Sequence, residues 1–311
     1  MNPALNRAAS RPLLLVFPGN EAQAAALSAR LAADEAGVQL HHFPDGETLV
    51  TLPADNGRGV AGRDVLLLCA LDHPDTKLAA LLFAADAARA QGARRVGLVA
   101  PYLAYMRQDR QFHPGEAVTS RSFAAVLSAH FDFLVTVDPH LHRYHALGEI
   151  YRMPARAVSS APAIAAWIRR EIVRPVLVGP DEESGQWVQA IAALEGLPHT
   201  VLTKQRHGDL DVEVSLPDAG RWQGYTPVLV DDIVSSARTM VAAAGSLRRA
   251  GLPAPVCIGV HALFAGDALA ALSAAGVARI VSCNCVPHVS NAIDVMPAVA
   301  TALQELLAAP A

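Results

Sequence analysis

The residues best suited to chemistry lie in one stretch of the second half of the chain, Val228 to Met240. Two carboxylates, Asp231 and Asp232, follow a short apolar run, and small hydroxyl residues come next: Ser235, Ser236 and Thr239. A helical pattern begins beyond them, and the N–H groups and positive dipole end of a helix N-terminus suit a phosphate. Nearby carboxylates accept hydrogen bonds from sugar hydroxyls or hold a hydrated magnesium ion. The alternative is an ordinary strand-to-helix loop in which Asp and Ser start the helix.

A second polar stretch, Pro101 to Arg110, follows a predicted strand. Arg107 and Arg110 carry planar, permanently charged guanidinium groups that can clamp phosphate oxygens. Gln108 and Asp109 add neutral and anionic hydrogen-bonding groups. Taken alone, the stretch equally fits a solvated loop with local ion pairs.

Three further clusters have chemical potential. Asp138, His140, His142 and His145 fall within eight residues, and they permit a metallohydrolase hypothesis. Asp181 lies at the acidic tip of another strand-to-helix turn, which also reads as a capped helix start. Lys204 and Arg206 lead from a strand into a glycine-containing loop, where mobile cations can close over phosphates. The alternative for that pair is a solvated hairpin tip.

Alternating strand and helix patterns must position these residues. Apolar runs at Leu13–Phe17, Asp64–Ala70, Arg95–Ala100, Phe133–Val137 and Pro227–Val230 predict strands, and Glu21–Ala36 predicts an amphipathic helix. Strands at Val38–Phe43 and Thr48–Leu52 flank a turn signal, Pro44 to Glu47. Strands separated by helices imply right-handed βαβ units and mainly parallel sheets flanked by helices.

Composition narrows the class of protein. The 311 residues suffice for two domains, and 52% are hydrophobic, which permits a substantial core. The net charge of −4 provides no basic field for nucleic acid, and no apolar run is long enough to cross a membrane. Four cysteines without a disulfide-type spacing favour a cytoplasmic protein.

The polar stretches occur in an order that resembles the ribose-phosphate pyrophosphokinases, which make phosphoribosyl pyrophosphate (PRPP). The likeness covers about residues 13 to 297. Its most specific parts are Pro101-Tyr…Tyr105-x-Arg-Gln-Asp-Arg110 and Phe43-Pro-Asp-Gly-Glu47. The resemblance implies two type I phosphoribosyltransferase-like α/β domains that assemble into a homo-oligomer, a dimer or higher. The boundaries that we expect are 1–153 for the ATP-side domain and 154–291 for the ribose-phosphate domain, with 292–311 packing back on the first.

The resemblance also implies roles for individual residues. ATP would be bound by Phe43, Asp45, Glu47, Arg107, Gln108, Asp109 and His140, and the first three would be lent to a neighbouring subunit. Ribose 5-phosphate would be bound by Asp181, Asp231, Asp232, Ser235, Ser236 and Thr239. Lys204 and Arg206 would be the mobile catalytic pair. Mg²⁺ would be the cofactor, with His140 and Asp181 as ligands.

Two loops depart from the family pattern. Ser236-Ala-Arg-Thr239 stands where the family has Thr-Gly-Gly-Thr, and Pro180-Asp-Glu-Glu-Ser184 replaces a glycine-containing turn. Glycine lets backbone N–H groups approach a phosphate. Ala237 therefore fits the phosphate-binding loop, Ser235 to Thr239, provided that its φ is negative. We call this loop the cradle. Both departures fall on the ribose-phosphate side.

The resemblance therefore implies a kinase that transfers the β,γ-diphosphoryl group of ATP to the anomeric hydroxyl of ribose 5-phosphate. Four alternatives stay open: a non-catalytic regulatory homologue, a related kinase for another sugar phosphate, a transferase that consumes PRPP, and the histidine-cluster hydrolase. The altered loops motivate the regulatory homologue, whereas the retention of Lys204 and Arg206 opposes it.

Overall fold

Sixteen strands and eight helices alternate along the part of the chain that a computed structural model describes, residues 11–53, 59–206 and 212–309. At residues 183, 204–206 and 212–214 this description covers the backbone alone. The chain divides into a first unit, Met1–Val158 with Met296–Ala311, and a second unit, Ser159–Val295. No helix of the described residues is both long and apolar enough to cross a membrane.

The strands are β1 (Leu13–Val16), β2 (Asp34–Gly37), β3 (Gln39–His42), β4 (Thr48–Thr51), β5 (Asp64–Leu68), β6 (Arg95–Ala100), β7 (Phe133–Val137), β8 (Ala155–Val158), β9 (Pro175–Gly179), β10 (His199–Val201), β11 (Thr203–Arg206), β12 (Val212–Ser215), β13 (Thr226–Val234), β14 (Val256–Ala262), β15 (Arg279–Cys283) and β16 (Asn291–Ile293). The helices are α1 (Glu21–Leu31), α2 (Pro74–Ala90), α3 (Thr119–His130), α4 (Ala161–Glu171), α5 (Gly185–Glu195), α6 (Arg238–Arg249), α7 (Ala268–Ala274) and α8 (Met296–Ala308).

The first unit is built on a six-stranded parallel sheet with the order β2-β1-β5-β6-β7-β8. Its central strands β5, β6 and β7 are mainly apolar and are buried throughout, as expected for a parallel sheet covered on both faces. Helix α8 belongs to this unit, where the Arg95 guanidinium donates hydrogen bonds to the Leu306 and Ala309 carbonyls at its end. Strands β3 and β4 form a separate antiparallel hairpin.

The second unit repeats the plan with a parallel sheet ordered β10-β9-β13-β14-β15-β16. One face of it buries a core made by α6 and α7 against β9, β13 and β14, in which Val178, Leu229, Leu247 and Leu272 are fully buried. Strands β11 and β12 form an antiparallel ribbon outside the main sheet. Two units with mainly parallel sheets and flanking helices confirm the predicted fold class.

The predicted end of the first helix was wrong for an identifiable physical reason. The helix predicted over Glu21–Ala36 ends at Leu31, because Ala32 adopts a left-handed conformation and the chain then forms β2 beside β1. An ion pair of 2.6 Å between Arg63 and Asp34 holds that edge strand. Strand β8 pairs with β7 and so extends the first unit to Val158, beyond the expected boundary at 153.

Candidate active site

Both sheets present their polar loops at the carboxyl ends of neighbouring strands, where open α/β sheets bind ligands. In the first unit these loops follow β6 and β7, and in the second they follow β9 and β13. Five non-glycine residues with positive φ lie in loops that follow β5, β6, β7, β13 and β14: His73, Tyr105, Asp138, Ala237 and Phe264. Left-handed backbone in side-chain-bearing residues is costly and tends to concentrate at functional sites.

The loop after β6 is fixed by Tyr105. Its φ is 62°, its hydroxyl donates a hydrogen bond to the Asp75 carboxylate, and its ring lies 4.8 Å from that of Phe123. The hydrogen bond to Asp75 raises the pKa of Tyr105, so the phenol stays protonated. The turn from which Arg107 projects is therefore held by two contacts of Tyr105, with Asp75 and with Phe123.

The four predicted ATP-binding side chains after β6 and β7 differ in accessibility. Arg107 is exposed, and within the described residues its guanidinium has no hydrogen bond or ion pair. Asp109 is buried, and its carboxylate lies 3.4 Å from Arg143 Nε. Gln108 Nε2 donates to Glu116 at 3.4 Å, and His140 is half-buried. Arg107 is thus available to a ligand, whereas Asp109 holds the loop together.

The histidine cluster after β7 spreads across the surface. His142 and His145 are exposed, and the rings of His140 and His142 lie 6.1 Å apart. Asp138 is buried, with φ 34°, and its N–H donates to the Val158 carbonyl. Among the described residues, no three His, Cys, Asp or Glu side chains are arranged to hold a metal ion.

The predicted hairpin residues Phe43, Asp45 and Glu47 all lie at the exposed tip between β3 and β4. The Asp45 carboxylate accepts the Glu47 N–H at 3.1 Å, and Gly46 has φ 93°. Phe43 is 42% exposed, which is unusual for a large apolar side chain on a turn. The tip presents an aromatic ring and two carboxylates to its surroundings.

Three carboxylates meet at the carboxyl edge of the second sheet. Asp231 and Asp232 lie within β13, which runs to Val234 and not merely to the predicted Val230. Asp181 follows the neighbouring β9 and accepts the Ser184 N–H at 3.2 Å, which caps a 3-10 turn. Burial, then the charges of Asp232 and Asp181, raise the pKa of Asp231 to about 7. This repulsion favours a bound cation or hydrogen-bond donor at the edge.

The hydroxyl loop after β13 leads into α6 as predicted, but the backbone differs from the expected form. Ala237 is the N-cap residue, with φ 58° and ψ 8°, so the condition of a negative φ is not met. The first hydrogen bond of the helix runs from the Val241 N–H to the Ala237 carbonyl, which leaves the preceding N–H groups of the first turn to other acceptors. Ser235, Ser236 and Thr239 are half-buried or exposed around that turn.

Lys204 and Arg206 were expected on a loop, and their backbone instead forms β11 of the antiparallel ribbon. Lys204 is paired with Val214 and Arg206 with Val212. The sequence predicted that both cations follow a strand, whereas pairing with β12 extends the strand through Lys204 to Arg206. The side chains of Lys204 and Arg206 lie outside the described part of the structure.

The residues that could not be predicted from the sequence are those that hold the loops in place. Tyr105, Asp75, Arg143 and Tyr144 hold the loops, and no local pattern pairs residues so far apart in sequence. Gly179 ends β9 where a Cβ would lie 2.6 Å from Ser184 Oγ, so only glycine fits there without a shift. The strand-end position of Gly179, just before Pro180, was a signal that could have revealed it.

Two parallel α/β units, the second with a carboxylate pair and a hydroxyl loop before a helix, define a phosphoribosyltransferase-type protein. Residues 13–130 match the model of the N-terminal domain of ribose phosphate pyrophosphokinase, and residues 147–298 match the phosphoribosyl transferase domain. The chain belongs to the ribose-phosphate pyrophosphokinase family.

Similar proteins agree with this assignment over nearly the whole chain. The ribose-phosphate pyrophosphokinase of Methanopyrus kandleri is 35% identical over 282 residues, which cover 90% of this chain and 94% of that protein. The enzyme of the same name from Halobacterium salinarum is 32% identical, covering 94% of this chain and 100% of its own. The crystal structure of phosphoribosylpyrophosphate synthetase from Mycobacterium smegmatis has a TM-score of 0.82 at 21% identity, covering 95% and 98% of the two chains, and shows the shared fold.

Proposed function

We propose that this protein is a ribose-phosphate diphosphokinase. The anomeric oxygen of ribose 5-phosphate attacks the β-phosphorus of ATP, the bond between the α,β-bridging oxygen and that phosphorus breaks, and the hydroxyl proton is released. The products are PRPP and AMP. The observation that carries the proposal is the carboxylate edge of β9 and β13, which lies at the start of the loop leading to the N-terminus of α6.

The second unit would hold the sugar phosphate. Asp231 and Asp232 accept hydrogen bonds from ribose hydroxyls, while the hydroxyls of Ser235, Ser236 and Thr239 and the first-turn N–H groups of α6 receive the 5-phosphate. A phosphate at a helix N-terminus also benefits from the helix dipole. The chemistry of the donors thus fits a group with hydroxyls at one end and a dianion at the other.

The first unit would hold the nucleotide. The exposed Arg107 guanidinium suits the ATP phosphates, with Gln108 beside it and Asp109 keeping the loop in place. His140 follows the adjacent strand at the same edge of the sheet. Phe43, Asp45 and Glu47 project on an exposed hairpin, and we propose that they complete the adenine and ribose pocket of a neighbouring subunit in a homo-oligomer.

The residues present fit Mg²⁺ as the cofactor. Burial, and then the negative charges of Asp232 and Asp181, raise the pKa of Asp231 to about 7, and a divalent cation would relieve the repulsion between these carboxylates. Mg²⁺ keeps several waters and takes one or two protein carboxylates together with substrate phosphates, so it needs no all-protein cage. Asp181 and His140 are the ligands that we propose; when bound, the ion neutralises charge on the phosphates.

Lys204 and Arg206 would stabilise the charge that develops on the transferring group. Phosphoryl transfer depends on positioning and charge neutralisation more than on covalent chemistry by the protein. No side chain is required as a nucleophile. The family's name and the retention of both cations support these roles.

One observation favours a second candidate, a non-catalytic regulatory homologue. Ala237 adopts φ 58° where its relatives' pattern has a glycine, and Arg238 begins the helix with an exposed guanidinium. Either feature weakens the phosphate cradle if it narrows the space above the helix N-terminus. The cytoplasm is the compartment that we propose, in keeping with four free buried cysteines.

The test is to incubate the purified protein with Mg-ATP and ribose 5-phosphate and to follow products by ³¹P NMR. The diphosphokinase forms AMP and PRPP together, in equal amounts, and only when both substrates are present. Formation of ADP would indicate transfer of a single phosphoryl group. Binding of both substrates without turnover would favour the regulatory homologue.

A further inference from the structure

The segment that follows β15 is tied by hydrogen bonds into a compact loop that contains His288. The His288 N–H donates to the side-chain carbonyl of Asn291 at 3.0 Å. Asn291 Nδ2 in turn donates to Ser282 Oγ and to the Cys283 carbonyl, both at 2.9 Å. Ser282 is buried within β15, and β13, β14 and β15 are parallel neighbours. The loop is therefore fixed to the carboxyl end of β15, at the same edge of the second sheet as the cradle.

Hydrogen bonds to the side chain of His288 set its protonation and its orientation. The Ser290 N–H donates to Nδ1 of His288 at 3.2 Å. Because a backbone N–H can only donate, Nδ1 carries no proton, and the ring is neutral with its proton on Nε2. The Ser290 hydroxyl then also donates to Nδ1, at 2.7 Å, and accepts from Ser282 Oγ at 2.7 Å. Burial lowers the pKa of His288, which favours the same neutral form.

The ring that is held in this way packs against Phe264, in the loop that follows β14. The two ring centroids lie 4.7 Å apart with an angle of 32° between the planes, a distance typical of favourable aromatic pairs. Phe264 has φ 24°, outside the regions that a bulky side chain favours. Such a conformation persists only where the surrounding structure holds it. The contact with His288 is one of the interactions that hold Phe264.

The loop that carries Phe264 is hydrogen-bonded to the start of the cradle. The Phe264 N–H donates to the Val234 carbonyl at 2.9 Å, and the Ala265 N–H donates to the Ser235 carbonyl at 3.0 Å. Ser235 is the first residue of the cradle, so these two bonds fix the point at which the cradle leaves β13. Neither His288 nor Phe264 is among the residues proposed above to bind a substrate.

We propose that His288 is a positioning residue for sugar-phosphate binding, which acts through Phe264 on the backbone at the start of the cradle. The inference rests on the proposed function, because it assumes that the cradle binds the 5-phosphate. Binding groups are effective only when neighbouring residues hold them in the productive geometry. A loop that is already ordered also loses less conformational freedom when its ligand binds. Loss of the aromatic contact therefore weakens binding of the sugar phosphate and leaves nucleotide binding unchanged.

The first experiment measures kinetics in His288→Asn, which keeps a side-chain acceptor near the position of Nδ1 but removes the ring. We expect the KM for ribose 5-phosphate to rise about three- to tenfold. The kcat and the affinity for a non-hydrolysable ATP analogue should stay within about twofold of the wild type. The control is Val289→Ala in the same loop, where Val289 is 94% exposed, and it should leave the KM unchanged.

Two further variants show whether the effect passes through the aromatic pair. Phe264→Leu should raise the KM as His288→Asn does, and the double variant should show no larger rise, because both substitutions break one contact. His288→Phe keeps an aromatic ring at this position and should restore most of the affinity. An unchanged KM in His288→Asn, additive effects in the double variant, or a fall in kcat without a rise in KM overturns the proposal.

Amide hydrogen exchange tests the same contact without any substrate. In His288→Asn the N–H groups of Phe264 and Ala265 should exchange about three- to tenfold faster than in the wild type, because their bonds to Val234 and Ser235 open more readily. Unchanged rates at the amides of β5 show that the variant is folded, and Phe264→Leu replaces it in this comparison if it is not. Wild-type rates at both loop amides overturn the proposal. If the wild type binds no ribose 5-phosphate in a calorimetric titration, the proposed function fails, while the exchange rates still decide whether His288 holds the cradle.

Discussion

The two sheet edges hold their functional loops in different ways. In the first unit the loop after β6 is tied by side chains, with Tyr105 on Asp75 and Asp109 beside Arg143. In the second unit burial, and then the charges of Asp232 and Asp181, raise the pKa of Asp231 to about 7, and the loop turns through a left-handed alanine. The loop at the nucleotide edge is therefore held in place before a ligand binds. We expect ligand binding to stabilise the sugar-phosphate edge more strongly than the nucleotide edge.

The catalytic cations provide the largest expected effect. Lys204→Ala and Arg206→Ala should each lower kcat about 100-fold or more while leaving the affinity for ATP nearly unchanged, because they act mainly on charge that develops during transfer. Steady-state kinetics and a binding titration check the two halves of this prediction. Arg248→Ala, an exposed arginine on α6, is the control. Near-normal turnover in either cation variant would remove that residue from the catalytic role.

Titration of Asp231 tests the electrostatics of the second edge. Its folded-state pKa lies above the ordinary 3.8, so its stabilising contribution is present below that value and is lost as the pH rises through about 7. We expect the free energy of unfolding of metal-free wild type to fall between about pH 4 and about pH 7, relative to Asp231→Asn. Urea unfolding measures both proteins. Equal pH profiles would show that burial and the neighbouring carboxylates do not raise the pKa of Asp231.

Substitution of Arg238 tests whether this residue permits or blocks phosphate binding in the cradle at the start of α6. The residue begins α6 and is exposed, so its side chain has room to turn outward or to pair with the phosphate. Arg238→Gly should change the KM for ribose 5-phosphate by about tenfold at most, about 1.4 kcal/mol. Kinetics across sugar-phosphate concentrations check this. An inactive wild type that becomes active through this substitution would favour the regulatory homologue instead.

The smallest expected effect is the change in stability caused by Ala237→Gly, which tests for backbone strain at this position. A left-handed conformation costs an alanine about 1–2 kcal/mol, while glycine loses more entropy on folding, so Ala237→Gly should stabilise the protein by a net ~0.5–1 kcal/mol. Ala32→Gly is a matched comparison, since Ala32 also has positive φ but lies at the end of α1. A destabilised Ala237→Gly, with a stabilised Ala32→Gly, would show that the Ala237 methyl group contributes packing that outweighs the strain.

Local pattern was enough to predict the fold class, because several of the parallel strands, such as β5 and β6, are short, mainly apolar runs followed by a helical pattern. The same pattern could not separate the end of α1 from β2. Asp34 in β2 is held by an ion pair with Arg63, which is far away in sequence. Nor could it give the φ of Ala237, which is set by how β13 enters α6. The charged residues that follow the strand ends could be predicted from the sequence. The residues that hold the loops in place could not.

The difference between the two edges is tested most directly by titrating Arg107→Ala and Asp231→Asn with each substrate separately, in the presence of Mg²⁺. We predict that Arg107→Ala weakens binding of a non-hydrolysable ATP analogue about tenfold or more and leaves the affinity for ribose 5-phosphate unchanged. Asp231→Asn should do the reverse. Loss of both ligands in both variants, or an exchange of the two effects, would contradict the assignment of one substrate to each sheet edge.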